Sequence, residues 1–206
     1  FDYQGQGRSG LMFSMGEPQM PPLVSQLGII DQATSIMGSH EILTALLMRE
    51  RFGIGQEVHV SILSSALYLL YLNVMIALVG GFEVTRHRRS TEYPLRNYYQ
   101  CGDGRWLIIT ASQTSERYWQ VLCQALEYPE LEKDARFDTD VKRYANSAEL
   151  VTIFDEIFAR RSRDEWLRIL AEHDIPCSPV NRLTDLAGDA QIIQNNYIVD
   201  FDHPSL

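Results

Sequence analysis

Cysteine and histidine are scarce in this 206-residue sequence, and basic residues are fewer than acidic ones. Its three cysteines (Cys101, Cys123 and Cys177) are odd in number and widely spaced, which argues against a disulfide framework and favours packing in a core. Its five histidines show neither metal-ligand spacing nor a nucleophile–base pairing. With 18 Lys and Arg against 27 Asp and Glu, the net charge of -9 argues against nucleic-acid binding. We expect a cytoplasmic protein with no metal and no nucleic-acid partner.

Long apolar runs are also rare, and the most apolar one extends from Ile62 to Val79. Its length approaches that of a membrane span. Ser64, Ser65 and Asn73 interrupt it, however, and its two tyrosines lie in the middle rather than at the ends, where membrane helices place them. We therefore expect a buried helix at a domain core or a dimer interface, and no membrane partner.

The chain ends are unusual for a complete protein. The sequence starts at Phe1 without Met or a basic leader, so no signal peptide is predicted. It stops within NYIVDFDHPSL, which reads as a strand entering another element. We expect an excerpt of a longer protein.

A long helix is predicted after Asp31, because apolar residues recur there on one helical face. Gly53 or Gly55 is suited to end this helix in a left-handed conformation. The alternation over Glu57–Val60 then predicts a short strand. The residues expected to be buried on the helix are Ile36, Met37, His40, Leu43, Leu46 and Leu47.

Asp31 lies at the start of this helix, and the residues alone leave two interpretations open. Aspartate is a preferred N-cap, where its carboxylate accepts bonds from the first N–H groups. A helix N-terminus also keeps a carboxylate ionised and oriented, which suits a nucleophile or a base. The pattern does not choose between a cap and a catalytic group.

From Asn97 the pattern becomes that of a small α+β domain, expected over residues 86–188. An Asp-Gly pair between two apolar runs predicts a hairpin, and the prolines of Ile175–Val180 predict an edge strand. Residues 146–149 (NSAE) and 162–165 (SRDE) resemble capping boxes. The aromatic segment Tyr93–Tyr99 fits either hairpin core or a pocket wall. The helical residues expected in the core are Leu150, Ile153, Phe154, Ile157, Trp166, Ile169 and Leu170.

A basic cluster, RHRR, occupies positions 86–89 of an otherwise acidic chain. Guanidinium groups pair bidentately with phosphate oxygens, so Arg86 and Arg88 are candidates for binding a phosphorylated ligand. The alternative is a solvated linker between two domains.

Ordered motifs along the chain resemble those of the family III CoA-transferases, the group that includes formyl-CoA transferase, carnitine CoA-transferase and α-methylacyl-CoA racemase. The resemblance covers nearly the whole chain. The motifs are PPLV, RERFGIGQ, VHVSILSSAL, YPLRNYYQCGDGRWLIIT, RYWQVLCQALEYPEL, DARFDTDVKRYANSAEL, RSRDEWLRIL and IPCSPVNRLTDL.

This resemblance implies an α/β fold made of a helical segment of a large nucleotide-fold domain and a small α+β domain. Residues 1–85 would belong to the large CoA-binding domain, 86–188 to the small domain, and 189–206 to the return toward the large one. The small domain is expected to be a structural lid or dimerisation module. The resemblance also implies an intertwined homodimer.

The resemblance identifies Asp31 as the active-site aspartate of a CoA-transferase. The implied substrates are an acyl-CoA thioester and a free carboxylic acid, with no permanently bound cofactor. Asp31 would form an acyl anhydride and then a CoA thioester, and backbone donors at the helix start are expected to stabilise the oxyanion.

Three further residues bear on the branch of the family. The racemase branch needs a histidine at the position of Phe1 and an acidic residue near Gln113, and neither side chain here moves a proton. Asp2 aligns with an acidic residue common to both branches, and it fits either the substrate pocket or a helix start. The transferase is therefore preferred, with a racemase or a non-catalytic CoA-ester-binding subunit as alternatives.

Overall fold

The structure, a computed structural model, describes residues 1–82, 86–91, 93–112 and 115–199. It has a mixed α/β fold that is mostly helical, with a small three-stranded sheet. The chain separates into two compact units, Phe1–Arg88 and Arg89–Leu206. The division falls close to position 86, where the small domain was expected to begin. Residues 189–199 group with the second unit, and the proposed return to a large domain stays a prediction.

The first unit is helical. A left-handed Gly10, with φ of 87°, separates its first two helices. The long third helix ends where Gly53 adopts φ of 68° and donates its N–H to the carbonyl of Arg49, which confirms the predicted glycine end. The helices are α1 (Asp2–Ser9), α2 (Leu11–Ser14), α3 (Ile29–Phe52), α4 (Ile62–Leu69) and α5 (Tyr71–Gly80).

The apolar stripe of α3 is not buried in this chain, contrary to the prediction. Ile36 is 70 % exposed, Leu43 65 % and Leu47 50 %, and His40 is exposed as well. Periodicity predicts that one face of a helix is apolar, but it does not identify the surface that covers it. No described residue of the first unit covers these positions.

The apolar run from Ile62 onward forms two helices rather than one buried helix. Leu70, with φ of -97° and ψ of 10°, ends α4, and α5 leaves at an angle of 77°. The run contains no proline or glycine at this point, so its sequence gave no sign of a break. In the described residues no single helix is long and apolar enough to cross a membrane, and only α4 and α5 taken together pass on length and composition.

The segment between α3 and α4 also differs from the prediction. Residues Glu57–Val60 carry the alternation of a strand, but in the described structure they pair with no other strand. Alternation selects an extended backbone, whereas a strand also requires a neighbour to satisfy its N–H and C=O groups.

The second unit is built on an antiparallel sheet in the order β1-β2-β3. Its strands are β1 (Arg96–Gln100), β2 (Trp106–Thr110) and β3 (Cys177–Val180). The Cys101 and Gly104 backbones close the predicted hairpin, with Gly104 at φ of 76°. Within the described ranges β3 pairs with β2 alone, which confirms the predicted proline-containing edge strand.

Helices that follow the hairpin pack on this sheet or on one another, and they share its core. The SRDE capping box is confirmed, since Ser162 and Glu165 bond each other's backbone N–H groups. The NSAE prediction is right about the helix start and wrong about the box. Asn146 is the N-cap residue of the helix that begins at Ser147, but its side chain makes no N-cap bond and donates instead to the carbonyls of Arg136 and Lys142. Of the helical residues predicted to lie in the core of this unit, only Ile153 is partly exposed. The helices are α6 (Glu116–Ala125), α7 (Asp140–Ala145), α8 (Ser147–Phe158) and α9 (Arg163–Glu172), and α10 (Ala190–Gln194) follows β3.

Cysteines and tyrosines of the second unit fill this core. Cys101 and Cys123 are buried free thiols, as predicted, and Cys177 is half-buried. Tyr99 is fully buried, its ring stacks on Phe158 and its hydroxyl donates to the carbonyl of Pro94 at 2.7 Å. Tyr99 therefore belongs to the hairpin core rather than to a pocket wall.

Candidate active site

Asp31 is the third residue of α3 and not its N-cap. The N-cap is Gly28, which has a left-handed backbone at φ of 60° and offers no side chain. The Asp31 side chain is exposed. Among the described residues its carboxylate accepts no hydrogen bond, so the cap interpretation of Asp31 is wrong.

The cap of α3 comes from another helix. Oδ1 of Asp2, on α1, accepts the N–H of Ile30 at 2.7 Å and the N–H of Asp31 at 3.1 Å. These are two of the N–H groups that a helix start leaves without an internal partner. Because the N–H of Gln32 already bonds the carbonyl of Gly28, the first turn is largely satisfied. Its donors at Ile30 and Asp31 are therefore not available for an oxyanion, which corrects the expectation for them.

Gln6 holds Asp2 and the segment before α3 together. Its Nε2 donates to the other carboxylate oxygen of Asp2 and to the carbonyl of Ser25 at 2.9 Å. Its Oε1 accepts the N–H of Ser25 at 2.8 Å. Gln6 is fully buried, and Asp2 is only 7 % exposed. Asp2 thus fills a helix-start role with a buried carboxylate, and its place in the substrate pocket stays a prediction.

The charge of Asp2 is stabilised by these contacts. Burial alone raises the pKa of the Asp2 carboxyl, but hydrogen bonds from Gln6 and from the N–H groups of Asp31 and Ile30 outweigh burial and lower the pKa below its ordinary value. Asp2 is consequently ionised at neutral pH, as a group that accepts from a helix N-terminus should be.

Close packing of α1 brings Asp2 to this position. A Cβ added to Gly5 would lie 2.4 Å from Cγ2 of Ile62 and 3.3 Å from Cγ2 of Ile30. Ile30 is fully buried and anchors the first turn of α3. Only glycine at position 5 lets the helices approach this closely. In the sequence, Gly5, Gly7 and Gly10 allow close approach of a neighbouring backbone, and the structure uses Gly5 in this way. The sequence reasoning missed Gln6, although it follows Asp2 at the four-residue spacing of helical neighbours.

Phe1 and Gln113, the other predicted pocket residues, give little further information. Phe1 is 91 % exposed, and its carbonyl accepts the N–H groups of Gln4 and Gly5 at the start of α1. Gln113 lies outside the described residues.

Arg86 lies against a groove of about 590 Å³ at the far end of α1. Its Nη1 donates to the carbonyls of Met15 at 3.3 Å and Pro21 at 3.4 Å, and its guanidinium lies 5.9 Å from the ring centre of Phe13. The eight residues of α1 span about 12 Å at 1.5 Å per residue, so the groove at the C-terminal end of α1 lies about that far from Asp2 at its N-terminal end. The structure does not bring Arg86 next to Asp31. The groove is lined by Ser9, Gly10, Phe13, Ser14, Pro18, Leu70, Asn73, Val74, Ala77 and Arg86.

The other arginines of the basic cluster differ in their surroundings. Arg88 is exposed. Arg89 belongs to the second unit, where it pairs with Asp155, donates to the carbonyl of Tyr98 at 2.8 Å and lies over the ring of Trp106. Arg89 is therefore a structural residue of the second unit rather than part of a solvated linker.

A metal site is not formed by the part of the chain that the structure describes, since no three His, Cys, Asp or Glu side chains converge there.

Comparison with known proteins places the chain among CoA-transferases. The model of CoA-transferase family III matches residues 1–205. The chain is 29 % identical over 210 residues to a mouse protein named succinyl-CoA:glutarate CoA-transferase, and the match covers 100 % of this chain and 47 % of the relative. It is 26 % identical over 199 residues to (R)-2-hydroxy-4-methylpentanoate CoA-transferase of Clostridioides difficile, covering 96 % of this chain and 49 % of the relative.

A solved structure gives the same result for the fold. The crystal structure of a CAIB/BAIF family protein from Brucella suis superposes with a TM-score of 0.84 at 28 % identity. The match covers 94 % of this chain and 51 % of that one. The chain thus spans about half the length of the relatives it matches.

Proposed function

The chain belongs to CoA-transferase family III, and we propose that it carries the nucleophile of an enzyme that moves CoA from an acyl-CoA thioester to a free carboxylic acid. The nucleophile is Asp31. The named relatives act on different acyl groups, so the proposal specifies the reaction class and not the donor or acceptor acid.

The reaction would begin with attack of the Asp31 carboxylate on the thioester carbonyl. The C–S bond breaks, CoA leaves as a thiolate, and an acyl-aspartyl anhydride remains. The thiolate then attacks the aspartyl carbonyl and expels the donor acid as a carboxylate, which leaves an aspartyl-CoA thioester.

The acceptor acid reverses these steps. Its carboxylate attacks the aspartyl thioester and releases the thiolate, giving a second anhydride. The thiolate attacks the acceptor acyl carbonyl and regenerates the Asp31 carboxylate. Every step exchanges one anionic nucleophile for one anionic leaving group, so no proton carrier is needed. Phe1 in place of the histidine of the racemase branch is compatible with this chemistry, whereas racemisation requires two proton carriers.

The observation that carries the proposal is the exposed, unpartnered carboxylate of Asp31 within the described residues. Aspartate at a helix start is usually explained as a cap, but here Asp2 provides the cap. In the first turn of α3 the helix dipole favours the negative charge of Asp31, but no described residue donates a hydrogen bond to its carboxylate. The backbone of Asp31 is held by Asp2. This arrangement suits a nucleophile that must be oriented and must stay accessible to a large substrate.

Arg86 and Arg88 are proposed to contact phosphate groups of CoA. Arg86 uses only Nη1 for the carbonyls of Met15 and Pro21, so among the described residues its Nε and Nη2 have no acceptor. Those two nitrogens form one edge of the guanidinium and match two oxygens of a phosphate. The separation of about 12 Å along α1 fits a cofactor whose phosphates are far from its thioester.

An intertwined homodimer is also part of the proposal. The apolar residues exposed on α3, α4 and α5 form the candidate contact surface, with Leu78 80 % exposed and Val79 76 %. A light-scattering mass equal to a single chain for the full-length protein would contradict the dimer.

The experiment uses the full-length enzyme with a panel of acyl-CoA donors and free acids, and it traps acyl-aspartate with hydroxylamine. We expect a hydroxamate on the peptide that carries Asp31, and loss of CoA exchange in Asp31→Ala and Asp31→Asn. Glu41→Gln, which neutralises another carboxylate of α3, is the matched control and should exchange CoA normally. Full exchange by the Asp31 variants would overturn the proposal. Exchange of the substrate α-proton with deuterated solvent would point to a racemase, and CoA binding without any exchange to a binding subunit.

A further inference from the structure

We propose that Asp2 is a positioning residue, whose buried carboxylate fixes the first turn of α3 and thereby orients Asp31. The inference rests on the proposed function, because it assigns Asp31 as the nucleophile. It is an alternative to the expectation that Asp2 lines the substrate pocket.

Both oxygens of the Asp2 carboxylate are committed to separate partners. Oδ1 accepts the N–H groups of Ile30 and Asp31, and Oδ2 accepts the amide of Gln6. A carboxylate bonded on both oxygens has one orientation. Because one of the bonds ends on the backbone of Asp31 itself, the position of the nucleophile follows that of Asp2.

The loop before α3 is held by the same group of residues. Gln6 bonds both the N–H and the carbonyl of Ser25, so this backbone position is tied to α1 in two directions. Gly28, between Ser25 and the first turn, has no side chain to cap the helix. The start of α3 is therefore held by α1 on both sides of Gly28, while local support comes from contacts at Leu27, whose carbonyl accepts the Gln32 side chain at 2.8 Å.

This arrangement has a specific consequence for catalysis. Displacement of a reacting group by about 1 Å costs on the order of 100-fold in rate. Because Asp2 is only 7 % exposed, it would act through Asp31 and not on the substrate. Loss of Asp2 should therefore lower kcat and leave KM nearly unchanged.

Asparagine at position 2 tests the role without changing the shape of the side chain. An amide presents one acceptor, so it bonds either the start of α3 or Gln6, but not both. If its oxygen faces the helix, its NH₂ faces the NH₂ of Gln6, whose orientation Ser25 fixes. We expect Asp2→Asn to be partly active and Asp2→Ala to be less active.

The measurements are steady-state kinetics and amide hydrogen exchange of the full-length enzyme. We expect kcat to fall about 100-fold in Asp2→Ala, with KM within about two-fold, and the N–H groups of Ile30 and Asp31 to exchange faster. Ser65→Ala is the matched control, because Ser65 is also buried in the first unit and donates to the Ser61 carbonyl at 3.1 Å. It should lower stability without changing kcat or exchange at the start of α3.

Two results would overturn the inference. One is a folded Asp2→Asn enzyme with the kcat and exchange rates of the parent. The other is a loss of kcat in Ser65→Ala equal to that in the Asp2 variants, which would reduce Asp2 to general stability. Failure of the proposed function is separate, since it appears as normal CoA exchange in Asp31→Ala whatever the Asp2 variants do.

Discussion

Replacement of Gly5 by alanine is the most direct test of how closely α1 must approach α3. The added Cβ would lie 2.4 Å from Cγ2 of Ile62. Carbon atoms in contact are about 3.5–4.0 Å apart, so this distance must open by about 1 Å. Ile62 is β-branched and restricted at χ1, so relief has to come mainly from movement of α1.

The magnitude follows from two opposing effects. Overpacking of this kind costs about 1–3 kcal/mol. Alanine in a helix is favoured over glycine by about 1 kcal/mol. Gly5→Ala should therefore lower the free energy of unfolding by up to about 2 kcal/mol relative to the parent.

Gly7 offers a matched control on the same helix. A Cβ there meets only Sδ of Met12 at 3.6 Å, which is an ordinary contact. Gly7→Ala should gain about 1 kcal/mol from helix propensity alone. The difference between the two variants, about 1–3 kcal/mol, isolates the overpacking.

The assay compares both variants of the full-length protein by urea unfolding and by CoA-transferase turnover. Movement of α1 carries Asp2 away from the start of α3, so Gly5→Ala should also lose turnover by up to about 100-fold, while Gly7→Ala keeps it. If Gly5→Ala proves as stable and as active as Gly7→Ala, the close approach of α1 is not required and the argument from Gly5 fails.

Two further predictions concern the second unit. Arg143 is 1 % exposed and pairs at 2.8 Å with the half-exposed Glu116. Glu116→Gln should therefore lower the free energy of unfolding in urea by about 1–3 kcal/mol, whereas Glu172→Gln, in the exposed pair with Arg168, should lower it by about 0.5 kcal/mol or less. Equal effects of the two substitutions would contradict this prediction. Burial raises the pKa values of Cys101 and Cys123 to about 12 from an ordinary 9.0, so at pH 8 neither thiol should react with a disulfide reagent until the protein unfolds. Because the pKa values in the folded protein lie above those in the unfolded chain, the free energy of unfolding should fall as pH rises from 9.0 toward about 12. Fast labelling of either thiol at pH 8 would refute its burial.

Local patterns predicted the second unit well. The Asp103-Gly104 turn and the Ser162–Glu165 capping box involve neighbours in sequence, and both are present. The core positions of α8 and α9 follow from helical periodicity over short helices that pack on one sheet. The exception in this unit is the NSAE capping box, because Asn146 makes no side-chain N-cap bond.

In the first unit, local sequence patterns did not predict the contacts between residues that are distant in sequence. Asp31 has the sequence environment of an N-cap, but the actual cap, Asp2, bonds Ile30 across 28 positions, and no periodicity carries that pairing. The break at Leu70 likewise has no residue that marks it. The apolar stripe of α3 was predicted to be buried and is exposed, because periodicity gives the apolar face of a helix and not the surface that packs on it.

Capping of α3 by Asp2 makes the start of this helix depend on packing between distant parts of the chain. The N–H groups of Ile30 and Asp31 bond the carboxylate of Asp2, which lies 28 positions before Ile30. A helix capped by a neighbour in sequence carries that support wherever the helix forms. Here the support comes from α1, so the direction of Asp31, the nucleophile that we propose, is a property of the packed unit and not of α3 alone.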